Sequence, residues 1–313
     1  MIELHLHLDG SLRPKTVWEL AKTQGIKLPA ESLEETEYRM RAPKNCRTLN
    51  EYLERFDLPL LVLQEEEAVE LAVYQLTEDL AGLGVEYGEI RFAPQLSTKK
   101  GLSQAQVVEA AMRGARRGMK DFPSIRIGLI LCCMRGKDLL SENLETVEMT
   151  SRYLNDVVCG VDLAGAEALY PTSMFEEVFR RAGELSLPMT IHAGEAAGPE
   201  SIWAALACRT KRIGHGVAAV KDPELMKRLA EEKITLEVCV TSNCDTKVVE
   251  DVKDHPIRTL FDAGVRVTVN SDNMTVSNTN IQQEEALLKR VWGFTEAELE
   301  TMRQYAREAA FLK

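Results

Sequence analysis

The sequence predicts an α/β protein built as a closed (β/α)8 TIM barrel, with helical insertions covering its C-terminal face. Eight short apolar runs, starting near residues 2, 87, 125, 157, 188, 212, 235 and 266, are each followed by a helical pattern. Such alternation gives a parallel sheet, and eight units in 313 residues suit a closed barrel. No glycine-rich phosphate fingerprint follows an early strand, which disfavours a doubly wound open sheet. No linker, low-complexity segment or charge run divides residues 1–313, so one domain is expected.

Residues 2–7 (IELHLH) read as the first strand, with Asp9-Gly10 as the turn beyond it. A helix over 14–24 has Pro14 at its start and is closed by Gly25. Residues 48–63 look helical around Pro59 and carry more exposed apolar groups than a surface helix usually does. Packing on the body and covering a pocket are both open to this segment. The long helix 65–83 leads through Gly84 to strand 87–92, and helix 103–119 leads to strand 125–133, whose unbroken apolar run suits burial on both faces. Helix 139–155 precedes strand 157–163, which ends in Ala164-Gly165. Then come helix 173–185, strand 188–192, helix 199–208 and the short strand 212–214 ending at His215. Helix 223–232, strand 235–240, helix 257–263 and strand 266–270 complete the alternation, followed by helices 281–291 and 296–311.

The totals exclude several functions. A net charge of −11 disfavours nucleic acid or an anionic membrane surface as partner. No apolar run approaches the ~20 residues needed to span a bilayer, and no charged-then-apolar leader precedes the first strand, so a cytoplasmic location is expected. The seven cysteines are widely spaced and form no Cys-x-x-Cys. They read as reduced core residues, which makes a thiolate zinc site improbable.

A barrel of this kind keeps its chemistry at the C-terminal ends of its strands. Those ends carry His5, His7 and Asp9 on strand one, His192 and Glu195 after strand five, His215 after strand six, and Asp272 and Asn273 after strand eight. His5 and His7 point the same way on an extended strand and can share one ion. Each residue taken alone has a bland alternative: a satisfied core histidine, or a turn cap. Four of five histidines converging on one face outweigh those alternatives. Only His255, before Pro256, stands apart, and it is expected at the surface. Three imidazoles and a carboxylate suit one Zn²⁺, although other first-row divalent ions accept the same donors. Glu195, one tight turn past His192, could carry a proton to a substrate, and His215 between two glycines could orient an attacking water.

Six ordered motifs resemble those of the adenosine deaminase family within the amidohydrolase superfamily: His5-Leu6-His7-Leu8-Asp9-Gly10, Val161-Asp162-Leu163-Ala164-Gly165, Thr190-Ile191-His192-Ala193-Gly194-Glu195, Arg212-Ile213-Gly214-His215-Gly216, Thr241-Ser242-Asn243 and Asn270-Ser271-Asp272. The resemblance implies zinc-dependent hydrolysis of adenosine or deoxyadenosine to inosine or deoxyinosine and ammonia. It implies His5, His7, His192 and Asp272 as metal ligands, and Glu195, His215 and Asp272 as the catalytic set. Glu195 would protonate purine N1. On the substrate side it implies His7, Asp9 at the ribose and the Gly165 backbone at N3, with residues 48–63 covering the pocket. The family commonly has two adjacent aspartates where this chain has Asp272-Asn273. An asparagine amide donates to N7 at any pH, so the change is chemically tolerable but leaves adenine or a modified adenine nucleoside open as substrate.

Two other classes stay in view. An amide or ester hydrolase on this scaffold would need a second metal, typically with a lysine at the end of strand four, where this chain has Leu163-Ala164-Gly165. A non-catalytic purine-binding protein would need neither Glu195 nor His215.

Overall fold

The computed structural model describes residues 1–312. Its eight strands are β1 (Ile2–His7), β2 (Tyr87–Phe92), β3 (Arg126–Met134), β4 (Val158–Ala164), β5 (Thr190–Ala193), β6 (Arg212–His215), β7 (Thr235–Val238) and β8 (Arg266–Val269). Every pair is parallel, β1 to β4 forming one run and β5 to β8 another. Two single bridges close the ring: Val161 to Met189 between β4 and β5, and Leu6 to Asp272 between β8 and β1.

Helices surround the ring, and their ends follow local chemistry. Ser103 with Gln106 and Thr295 with Glu298 form reciprocal caps at the starts of Gln104–Asp121 and Glu296–Ala309. Pro14, Pro199 and Pro223 open three helices at positions where a missing N–H costs nothing. Leu33–Met40 is a helix that apolar periodicity does not announce, since its sequence is LEETEYRM; Ser32 caps it by accepting from the Glu35 N–H, and only Thr36 and Met40 are buried. Residues 48–63 resolve into Leu49–Leu53, a turn of 3-10 helix and Asp57–Val62.

The shell between strands and helices is apolar, but the barrel interior below the C-terminal face is ionic. Arg91 donates to Asp162 Oδ2 at 2.9 Å and to Glu237 Oε2 at 2.8 Å, and Arg212 donates to Glu237 Oε1 and Glu89 Oε2, both at 2.6 Å. All five side chains are buried. At the opposite end the Phe311 ring packs 3.9 Å from the Arg212 guanidinium, while its N–H donates to Glu89 Oε1 at 2.7 Å. Among the described residues all seven cysteines are unpaired thiols, five of them buried and Cys208 and Cys244 partly exposed. No helix among them is long and apolar enough to cross a membrane.

Candidate active site

The seam between β8 and β1 assembles the first half of the site. The Asp272 N–H donates to the His5 carbonyl at 2.9 Å, and the His7 N–H donates to the Asp272 carbonyl at 2.7 Å. This pins the carboxylate beside both β1 histidines. Asp272 takes φ 59° and His215 takes φ 61°, left-handed conformations unusual for residues with a Cβ and typical of strained functional positions. Gly214 eases the other half: a Cβ there would lie 3.0 Å from His5 Cε1 and 3.1 Å from His192 Cα, so any larger residue would press on both histidines.

The donor set fits a divalent cation. His5 donates from Nδ1 to Glu237 at 2.8 Å, and His192 from Nδ1 to Asp162 at 3.1 Å, which leaves a lone pair on each Nε2. His5 Nε2 is buried with no hydrogen-bond partner. His7 Nε2 lies 3.1 Å from His192 Nε2, and Asp272 Oδ1 lies 3.4 Å from Nε2 of both His5 and His7. The lone pairs of His5 and His192 beside the Asp272 carboxylate suit a cation among them, with His7 Nε2 in reach of the same position. Burial alone would raise the Asp272 carboxyl, but the imidazoles around it, His5 foremost, hold it well below the usual carboxylate range. Cys239 is near the same group, and burial pushes its thiol well above the usual value.

Facing this cluster, Glu195 is buried, and burial, with Asp272 and Glu167 adding like charge, raises its carboxyl well above the usual range. The site thus favours the protonated carboxyl over the carboxylate. Its Oε2 is 3.6 Å from His215 Nε2. The loop bearing Glu195 is held by Glu167, whose carboxylate accepts from the N–H groups of Gly194, Glu195, Ala196 and Ala197 at 2.7, 3.0, 2.7 and 3.1 Å. Behind His215, Asn243 Nδ2 lies 3.0 Å from Nδ1, and Asn243 Oδ1 lies 3.2 Å from His255 Nε2.

One cavity of about 250 Å³ is lined by His7, Asp9, Gly165, His192, Glu195, His215, Asp272 and Asn273. Of the residues singled out from sequence, only His5 lies beneath it. Leu49, Tyr52, Leu53, Phe56 and Leu60, with Asp57 among them, form its largely apolar cover, which answers the open question about residues 48–63. Burial pushes the Asp9 carboxyl up to about 6. Asn273 packs so closely on Gly10 that a Cβ at Gly10 would meet its Oδ1 at 1.8 Å.

His255 is a correction. It is 2% exposed, not a surface residue, because its ring packs edge-on against Trp292, with centroids 6.2 Å apart, and bonds Asn243. The supporting residues Glu237, Arg91, Glu167 and Asn243 had no role in the sequence reading. Only the position of Asp162 and Asn243 inside two of the six motifs pointed their way.

A sequence model described as adenosine deaminase matches residues 1–313. A Haemophilus ducreyi protein named adenosine deaminase is 46% identical over all of this chain and 92% of its own length. Among solved structures, an adenine deaminase from Arthrobacter aurescens aligns with TM-score 0.92 and 28% identity over 100% of this chain and 94% of that one. An amidohydrolase from Burkholderia ambifaria with bound zinc aligns with TM-score 0.91 and 25% identity, over 100% and 85%. Its strand-end histidines, its buried glutamic acid and a family match along its whole length agree: the chain belongs to the adenosine deaminase family.

Proposed function

We propose that this chain, acting as one catalytic domain over residues 1–313, hydrolytically deaminates adenosine and 2′-deoxyadenosine to the corresponding inosines and ammonia, as in purine salvage. The observation that carries the reading is the buried Glu195, in a setting that favours its protonated form, on the same small cavity as a cluster of side chains able to ligate a cation. A binding protein has no need of a buried carboxyl poised to carry a proton. The free cysteines support a reducing, cytoplasmic setting.

His5, His7, His192 and Asp272 would hold one Zn²⁺ or a similar ion. Bound there, it supplies the Lewis acidity that makes water nucleophilic at neutral pH. Glu195 donates its proton to purine N1, which draws electrons from C6 and opens that carbon to attack. His215 orients the attacking oxygen, and Asp272 accepts the proton that water gives up and passes it to the 6-amino group, which leaves as ammonia when the C6–N6 bond breaks; the new C6 hydroxyl returns a proton to Glu195 as it becomes the carbonyl. Asp9 takes the ribose hydroxyls, the Gly165 backbone meets N3, and the Asn273 amide donates to N7. His7 forms part of the wall against which the base lies, and the apolar cover keeps bulk water out.

Asn273 favours one second reading, a related adenine-type substrate. Metal-loaded protein offered adenosine, deoxyadenosine, adenine and N6-methyladenosine, and followed by ultraviolet absorbance, separates the two. The first two substrates are expected to turn over fastest. Turnover of adenine alone would overturn the nucleoside assignment, and turnover of N6-methyladenosine alone would overturn the unmodified amino group as leaving group; either result keeps the mechanism.

A further inference from the structure

His215 does not end at its own ring. The Ile257 backbone N–H, which can only donate, points at His255 Nδ1 at 3.2 Å. An imidazole nitrogen that accepts carries no proton, so a neutral His255 carries its proton on Nε2. Burial depresses His255 to about 3, which keeps it neutral. Its Nε2–H then donates to Asn243 Oδ1 at 3.2 Å, and this fixes which end of the amide faces which ring. Asn243 Nδ2 must therefore donate to His215 Nδ1 at 3.0 Å.

We infer that His255 and Asn243 are positioning residues that lock His215 in the tautomer with its proton on Nε2, aimed into the cavity. The role this gives His215 rests on the deaminase reading above; the tautomer itself does not. With Nδ1 occupied by the Asn243 N–H and Nε2 already protonated, His215 has no lone pair for a proton from water. It donates a hydrogen bond to the attacking oxygen and holds it in line with C6. The proton that water loses goes to Asp272, whose carboxylate is grouped with the His215 ring within 4.8 Å. The chain of donors begins at a backbone N–H, so no solvent exchange or rotation of a hydroxyl can reverse it.

The test reads ring nitrogens directly. In metal-loaded, ¹⁵N-histidine-labelled full-length protein, the His215 signals are identified by their loss in His215→Asn. The expected spectrum shows His215 Nε2 protonated and Nδ1 unprotonated; the reverse pattern overturns the proposal whichever purine the enzyme takes. Asn243→Asp keeps the size but replaces the donor with an acceptor. It should move the proton to Nδ1 and lower kcat by about 10²-fold or more, with KM changed by less than about threefold. His255→Gln preserves an N–H near the Nε2 position and should keep the wild-type tautomer and a kcat within about threefold, whereas His255→Phe should give mixed tautomers and a loss of about tenfold. An unchanged His215 spectrum in both Asn243→Asp and His255→Phe would overturn the relay. Should either variant fail to fold, the wild-type spectrum still decides.

Discussion

His5 and His192 lean through Nδ1 on carboxylates, Glu237 at 2.8 Å and Asp162 at 3.1 Å, whereas His215 faces a neutral amide, Asn243, at 3.0 Å. The three rings are chemically identical and their centroids lie within 5.2 Å of one another. The residue behind each ring separates their chemistry. A carboxylate holds the proton on Nδ1 and turns a lone pair toward the cation position; an amide N–H fills Nδ1 and turns a proton toward the substrate. The carboxylates are in turn charged and rigid because Arg91 bridges them, while the amide is steered by a second histidine.

The difference can be broken at either wall. The largest effect is expected from Glu195→Gln, which removes the proton source and leaves the cation-facing wall intact. Turnover should fall by about 10²- to 10⁴-fold with metal content by elemental analysis unchanged. Lost metal together with lost turnover would mean that Glu195 also serves the other wall. Asp162→Asn attacks the carboxylate-backed wall. It should weaken metal affinity by about 10- to 100-fold in chelator competition. Arg91 loses one charged partner, so the folded state should also lose about 3 kcal/mol in denaturant melts. Chelation comes next. Removing the ion should lower stability by about 2.7 kcal/mol relative to protein held at a hundredfold excess over Kd, read as a shift in Tm.

The smallest effect sharpens the contrast through pH. Glu195 must be protonated to act, and burial holds its proton beyond the usual carboxylate range. Activity is thus present below that raised pKa and lost above it, by about tenfold per pH unit. A pH–rate profile with no loss on the alkaline side would remove Glu195 as proton donor. A carboxylate that must stay ionised behaves in the opposite sense: Arg212 and Arg91 outweigh burial and hold Glu237 well below its usual range, so its support for His5 survives to low pH.

Much of this was legible from local patterns. The period of two places His5 and His7 on one side of β1, and strand ends identify His192, His215 and Asp272, because in a parallel barrel every strand delivers its last residues to the same face. What spacing could not reveal depends on neighbours distant in sequence. His255 sits in a polar stretch that looks like a loop, and it is the Trp292 ring that buries it. Glu167 gathers the N–H groups of residues 194–197, a contact with no sequence periodicity behind it. Glu237 looks like an error in a buried strand until Arg91, Arg212 and His5 are seen around it. The helix Leu33–Met40 escaped because its cap, not its apolar pattern, starts it.

The seam that joins Asp272 to the first strand also sets a timetable. During synthesis at about 5–20 residues per second, His5 and His7 leave the ribosome roughly 15–50 s before Asp272 exists. Throughout that interval β1 has no β8 to pair with, and the cation position lacks its last ligand. A cation held by His5, His7, His192 and Asp272 would gain its full ligand set only as the ring closes, and would then stabilise the finished ring more than the growing chain.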